Sequence, residues 1–192
     1  MQQGTLRADA AASISRILDA AHAALAGGGV ASLSRIAEEA GVGVATLYRH
    51  FPNRRALASS VYQRVFAQAV VPLLMRFEDT DGDHESLVDI LDRISAVFTR
   101  EHNLMASVQD VGPLTDSLIS SHDRLFGDLS SRGRAAGHLR SDLGGGELAR
   151  LLGVIALGSG LVAEDDVQRR RMIDVLLDSL RPTDGRDARS MA

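Results

Sequence analysis

The sequence predicts an all-α protein: a three-helix, helix-turn-helix head at the N-terminus and a larger helical bundle behind it, about nine helices in all. Three observations carry this. Apolar residues recur at three- and four-residue spacing along most of the 192-residue chain. Glycines, prolines and capping residues cut that pattern into short segments before residue 54 and longer ones after it. A hydrophobic content of 45% is enough to bury a sizeable core. The divisions expected are residues 9–57 for the head, 58–182 for the bundle and 183–192 for a polar, disordered tail.

Residues 1–8 have no apolar period and are expected to be mobile. From about Asp9 a helix carries Ile14, Ile17, Leu18, Ala21 and Leu25, and Gly27-Gly28-Gly29 ends it. His22 lies off that stripe and is expected at the surface. Ser32 offers an N-cap hydroxyl to a short helix bearing Leu33, Ile36, Ala37 and Ala40. Gly41 ends it, because glycine enters the left-handed region without a Cβ clash. A second short helix runs from Val44 to about His50, with Leu47 and Phe51 facing inward. Pro52 stops it and Asn53 caps the next. Two short helices about a tight glycine turn have helix-turn-helix geometry.

The fourth helix carries Leu57, Val61, Val65, Phe66, Ala69, Leu73 and Phe77, and Pro72 must kink or divide it. Residues 78–83 read as a solvated acidic loop without the ligand order of an EF-hand. Glu85 to Glu101 is an amphipathic helix. A short helix follows over Leu104 to Gln109, closed by Gly112-Pro113. A long one runs from Leu114 to about Ala136 with His122, Leu125, Phe126 and Leu129 along one side. Residues 137–146 read as a loop. Glu147 to Ala163 is apolar nearly all round, so it must be covered on every side, and a second copy of the chain is expected to supply part of that cover. The final helix spans about Asp166 to Leu180, stopped by Pro182.

The net charge of −4 is unevenly spread. Residues 1–60 hold six arginines and four acids, a net +2; the rest holds 15 basic and 21 acidic residues, a net −6. A basic head on an acidic body suits contact with phosphate at one end. Every basic side chain is arginine, which we read as codon bias. There is no cysteine, so disulfides and thiol chemistry are excluded. The N-terminus has no basic stretch followed by a long apolar run, so no secretory leader is expected. The longest apolar stretch, Leu148 to Ala163, is interrupted by Arg150 and glycines and is short for a membrane span. A cytoplasmic location and no membrane partner are expected. No nucleophile–base pair, histidine–carboxylate metal spacing or phosphate loop emerges, so no enzyme, catalytic residue, metal or cofactor is expected.

Ile36-Ala37, Ala40-Gly41-Val42, then Thr46-Leu47-Tyr48-Arg49-His50-Phe51 and Arg54 resemble the DNA-binding signature of the TetR family. The resemblance covers about the first third of the chain. It implies a dimeric, all-helical regulator, usually a repressor released from double-stranded operator DNA by a small ligand, with a C-terminal bundle for ligand binding and dimerisation. By the family pattern Thr46, Tyr48, His50 and Arg54 hold phosphates, which fixes register without reading sequence. Val44, Ala45 and Arg49, with Ser34 from the preceding helix, meet base edges. Gly43 departs from the pattern, standing where Ser or Thr often caps the recognition helix. A rival reading is a helical ligand-sensing or protein-interaction dimer without operator reading.

In the bundle, polar groups on apolar faces and their neighbours mark a ligand cavity: Phe98, His102, Met105, His122 and Phe126. The dimer interface is expected on the last two helices, at Leu151, Leu152, Ile155, Ile173, Leu176, Leu177 and Leu180.

Overall fold

The computed structural model describes residues 2–28, 32–78, 83–108 and 111–182. Among these the chain is all-helical, as predicted: α1 (Gln2–Ala26), α2 (Leu33–Glu39), α3 (Val44–His50), α4 (Arg54–Val65), a π-helical stretch (Phe66–Val70), α5 (Val71–Glu78), α6 (His84–Arg100), α7 (His102–Ser107), α8 (Val111–Ser121), α9 (Asp123–Ala135), α10 (Gly145–Val162) and α11 (Asp166–Asp178). Residues 79–82 of the acidic loop, Gly29, Gln109 and the tail after Pro182 lie outside the described residues. Two compact units form. One runs to Ala67 and takes in Arg100–Leu114; the other comprises Gln68–Thr99 and the chain from Thr115 on. The first unit therefore extends past residue 57, keeping all of α4, and gains α7.

In the first unit α1 packs on α2, α4 and α7, and α2 on α3. Ile17, Ala21 and Leu25 of α1 are buried, as are Ile36, Ala37, Leu47, Leu57, Val61 and Leu104. Each large aliphatic side chain so buried contributes roughly 1.5–3 kcal/mol. α1 begins at Gln2 and not Asp9. Gln2, Gln3, Leu6, Arg7 and Ala8 favour helix intrinsically, without an apolar stripe to announce it. Arg64 of α4 reaches Asp19 at 2.8 Å, and Arg16 donates to the Ala40 carbonyl at 3.1 Å. The second contact satisfies a carbonyl at the end of α2, where a cation also suits the helix dipole.

His22 is not a bare surface residue. Its Nε2 lies 2.7 Å from Oε2 of Glu101, whose side chain is almost wholly buried. Arg100 meets the other carboxylate oxygen at 3.3 Å. Asn103 Nδ2 donates to the Ala26 carbonyl at 2.9 Å. These contacts fasten α7 to the end of α1.

In the second unit α10 packs on α9 and α11, and α5 on α9. Ion pairs tie α6 to α11, Arg169 to Asp92 at 2.7 Å and Arg170 to Asp89 and Glu85, and His84 Nε2 is hydrogen-bonded to Asp174 at 2.6 Å. The expected single helix over 114–136 is two, broken at His122, whose backbone is non-helical (φ −120°, ψ 27°). Ser120 and Ser121 donate to the carbonyls of Asp116 and Ser117, and His122 Nδ1 lies 2.8 Å from the Leu118 carbonyl. Three successive side chains bonded to the preceding turn compete with helix propagation. Gly112-Pro113 sits in the first turn of α8 instead of closing α7; proline is tolerated there because its N–H would be unpaired anyway. Pro72 does divide the fourth helix, with the wider π turn just ahead of it absorbing the lost hydrogen bond.

Two helices approach α10 closely at glycines. A Cβ on Gly145 would stand 2.8 Å from the Gly127 nitrogen, and one on Gly160 would stand 2.6 Å from Thr99 Oγ1. Thr99 donates to the Gly160 carbonyl at 3.1 Å across this contact. α10 is long and apolar enough to cross a membrane by length and composition alone, a test that a core helix also passes. Here it packs between helices, and its Arg150 pairs with Asp116 of α8 at 2.8 Å.

Candidate nucleic-acid interface

The caps that set α2, α3 and α4 are local. Ser32 accepts from the Arg35 N–H at 3.2 Å, and Asn53 Oδ1 from the Ala56 N–H at 2.8 Å. Gly41 takes φ +62°, the left-handed value its position requires. Gly43 is the N-cap of α3 and brings no side-chain bond; its carbonyl accepts from the Thr46 N–H at 2.9 Å.

α3 is pinned by one face and bare on the other. Leu47 is fully buried and Phe51 nearly so, a pair at four-residue spacing. Val44 is 40% and Tyr48 48% exposed, and Ala45 and Arg49 are exposed beside them. Thr46 and His50 are half-buried at the edges of this face. Ser34 of α2 is exposed and Arg54 of α4 half-buried. The His50 ring turns its Nε2 inward, buried and without a hydrogen-bond partner, 6.3 Å centroid to centroid from Phe51. A hydrogen bond from this ring to an outside phosphate would therefore use Nδ1. The face thus combines aromatic hydroxyl, guanidinium and small apolar groups on one side of a rod.

The expected ligand residues do not converge. Phe126 is buried, Phe98, Met105 and His122 are half-buried, and His102 is exposed. His102 and Met105 belong to the first unit, and Phe98, His122 and Phe126 to the second. A cavity of about 40 Å³ does open in the second unit, and none of the five lines it. Its walls are Leu74 of α5, Leu87 and Ile90 of α6, Leu129 and Gly133 of α9, Leu148 and Leu152 of α10, Leu177 and Leu180, with Asp83, His84 and His138 as polar members. The loop after α9 closes it: Leu139 is buried, and the Arg140 N–H donates to the Leu180 carbonyl at 3.0 Å. His84 follows the Asp83 cap of an amphipathic helix, and that is the one signal by which sequence reading could have found it. His138 sits in a loop with no pattern at all.

The residues expected at a dimer interface are mostly covered within the protomer. Leu152, Ile155, Ile173, Leu177 and Leu180 are buried inside their own protomer, and Leu151 is half-buried. Of the seven, Leu176 is exposed. These leucines and isoleucines face α9 and one another because a helix pair buries its shared side first. The outer side of the pair instead carries Val154 (68% exposed), Leu161 (65%) and Val175.

A model of the bacterial regulatory proteins of the tetR family matches residues 17–61, from α1 into α4. An uncharacterized HTH-type transcriptional regulator of Mycobacterium tuberculosis, Rv2250c, is 27% identical over 172 residues, 85% of each chain. The TetR transcriptional regulator SCO0520 of Streptomyces coelicolor is 30% identical, with 89% of this chain and 99% of that one covered and a TM-score of 0.53. RolR, solved with its ligand resorcinol, is alike in fold at 16% identity, with 91% and 90% covered and a TM-score of 0.70. With the pinned and bared faces of α3, these likenesses establish that the chain belongs to the TetR family of DNA-binding transcriptional regulators.

Proposed function

We propose that this regulator binds a palindromic operator as a homodimer, acts as a repressor, and is released by a small ligand held in its C-terminal bundle. The observation that carries the DNA half is α3: Leu47 and Phe51 anchor it while Val44, Ala45, Tyr48 and Arg49 face solvent. Arg49 is suited to guanine, Val44 and Ala45 to thymine methyls. Ser34 completes the base-reading set. Thr46, Tyr48, His50 and Arg54 hold phosphate. On this reading residues 9–57 and 58–182 divide the work into DNA binding and ligand-gated dimerisation, in the cytoplasm where the DNA is.

The exposed apolar side of α10 and α11 supports the dimer, since a chain exposing Val154, Leu161, Val175 and Leu176 together gains by covering them. A twofold mate must hold the second α3 about one helical turn of DNA away, ~34 Å or a multiple. A ligand need only favour a dimer with the wrong spacing, and the coupling is reciprocal: operator DNA weakens ligand binding by the same factor. RolR, with its resorcinol, is a protein of this fold that takes a small molecule, and by analogy this chain's bundle takes its own.

Gel shift of the purified protein on DNA from upstream of its own gene tests the reading. A retarded band that Arg49→Ala and Tyr48→Ala weaken, with dimer mass unchanged, is expected. No retardation of that DNA, with dimer intact, would favour the second reading, a sensing dimer without an operator. Gly43, which brings no cap to α3, and the apolar Val44-Ala45 pair are what keep that second reading in play.

A further inference from the structure

The cavity of the second unit has a chemistry of its own. We propose that it takes a neutral aliphatic molecule whose single polar group is a hydroxyl, and that it admits this molecule by displacing α11. The inference rests on the ligand-responsive reading above and gives that ligand a class and a place.

The walls are leucines and one isoleucine, with no phenyl, phenol or indole ring and no arginine among the lining residues. A flat ligand finds only the two imidazole edges of the cavity, and a carboxylate or phosphate finds no guanidinium. Asp83 is exposed and holds a negative charge: the Ser86 N–H and hydroxyl each donate to its carboxylate at 2.8 Å and keep its pKa below the usual value. An anion would meet that carboxylate, and an ion of either sign would lose its hydration among the leucines.

The two imidazoles set the polar group. His84 commits Nε2 to Asp174 at 2.6 Å, with Asp178 at 3.9 Å. With the proton on that nitrogen, Nδ1 is left as an acceptor. The His138 ring has no hydrogen bond among the described residues, and it supplies either a donor or an acceptor. A hydroxyl both donates and accepts, so it suits both rings, whereas a ketone or an ether only accepts and suits His138 alone.

The closed cavity of about 40 Å³ holds roughly three water molecules. Ligand pockets generally exceed ~300 Å³. Entry must therefore part the walls, and α11, which contributes Leu177 inward and bears Val175 and Leu176 outward, moves together with the face of α6 to which Asp174, Arg169 and Arg170 bind it, so that the Asp174–His84 bond is kept. A molecule that fits only the parted form has the differential affinity that any population shift requires.

Cyclohexanol is a compact probe of this class. In NMR titration of the full chain, saturable shifts are expected at the leucine methyls of the cavity and the His84 and His138 rings. The affinity should be about tenfold or more above that for cyclohexanecarboxylate or cyclohexylammonium, each of which buries a charge. His138→Leu, at a half-buried loop position, should weaken binding about three- to tenfold, the loss of one hydrogen bond, with the thermal midpoint little changed. Leu129→Trp should fill the space and abolish binding; if that variant does not fold, His138→Leu carries the test. Absence of saturable cavity shifts, equal binding of either ion, or an unchanged affinity in His138→Leu overturns the inference. A chain that shifts operator DNA but leaves these signals still sinks this proposal alone. A chain that binds cyclohexanol here but retards no DNA sinks the operator reading alone.

Discussion

Tyr48 and Arg49 sit side by side on the bare face of α3, and the proposed operator reading gives them different work. On that reading Arg49 makes a base contact worth roughly 1–3 kcal/mol, so Arg49→Ala should weaken operator binding about five- to 150-fold and relax preference at one position. Loss of the Tyr48 hydroxyl in Tyr48→Phe should weaken binding to all sequences alike, as phosphate contacts do; titrating operator and scrambled DNA in parallel separates the two outcomes. His22 makes a different prediction. His22→Ala strips a partner from the buried Glu101 carboxylate and should destabilise the chain by about 1–3 kcal/mol in urea unfolding, with Arg100 retaining part of the bond. The caps at Ser32 and Asn53 and the turn at Gly41 were legible in the sequence because each partner lies within four residues. The His22–Glu101 pair was not, since its halves stand 79 residues apart. The Asn103 clasp on the Ala26 carbonyl spans 77 residues and was equally out of reach.

Among elements, the apolar period foretold where helices are, and side chains that bond their own backbone decided where they break. Ser120, Ser121 and His122 end α8 by a mechanism that periodicity does not register, because Leu118, Leu125, Phe126 and Leu129 keep their spacing across the break. The glycines of α10 are likewise invisible as packing residues until α6 and α9 come against them. Gly160→Ala would drive a methyl into Thr99 Oγ1 and the Ser95 carbonyl, the latter 3.0 Å away, and should cost about 1–3 kcal/mol in thermal or urea unfolding. Gly153→Ala, on the same helix with open space around it, should be neutral or stabilising and serves as the control.

For the whole molecule, the predicted all-helical fold matches what is seen, while the five residues expected to line a ligand cavity lie apart from the cavity proposed above for a topological reason. The cavity gathers residues from Leu74 to Leu180, and its polar members come from a helix start and a loop. No window of sequence holds enough of it to read. On the last two helices the apolar period picked out the inward sides, while the face proposed for the dimer, with Val154 and Leu161, lies outward and carries no such stripe. Val154→Glu with Leu161→Glu should convert the protein to a monomer by light scattering and abolish operator binding without altering α3. Operator affinity should fall about 10³- to 10⁵-fold between 50 and 200 mM salt if six to ten phosphates are held, and a flat response would count against backbone contacts.

Five of the eighteen residues of α10 are glycine. Each costs the helix about 1 kcal/mol against alanine, so this segment holds its shape through its neighbours and not through its own propensity. On the proposed dimer reading, a lone chain leaves the outer side of this weakly helical segment, with Val154 and Leu161, in water, and its backbone bonds there open more often than in the pair. Hydrogen exchange in α10 should then slow as protein concentration rises, since pairing is favoured by mass action.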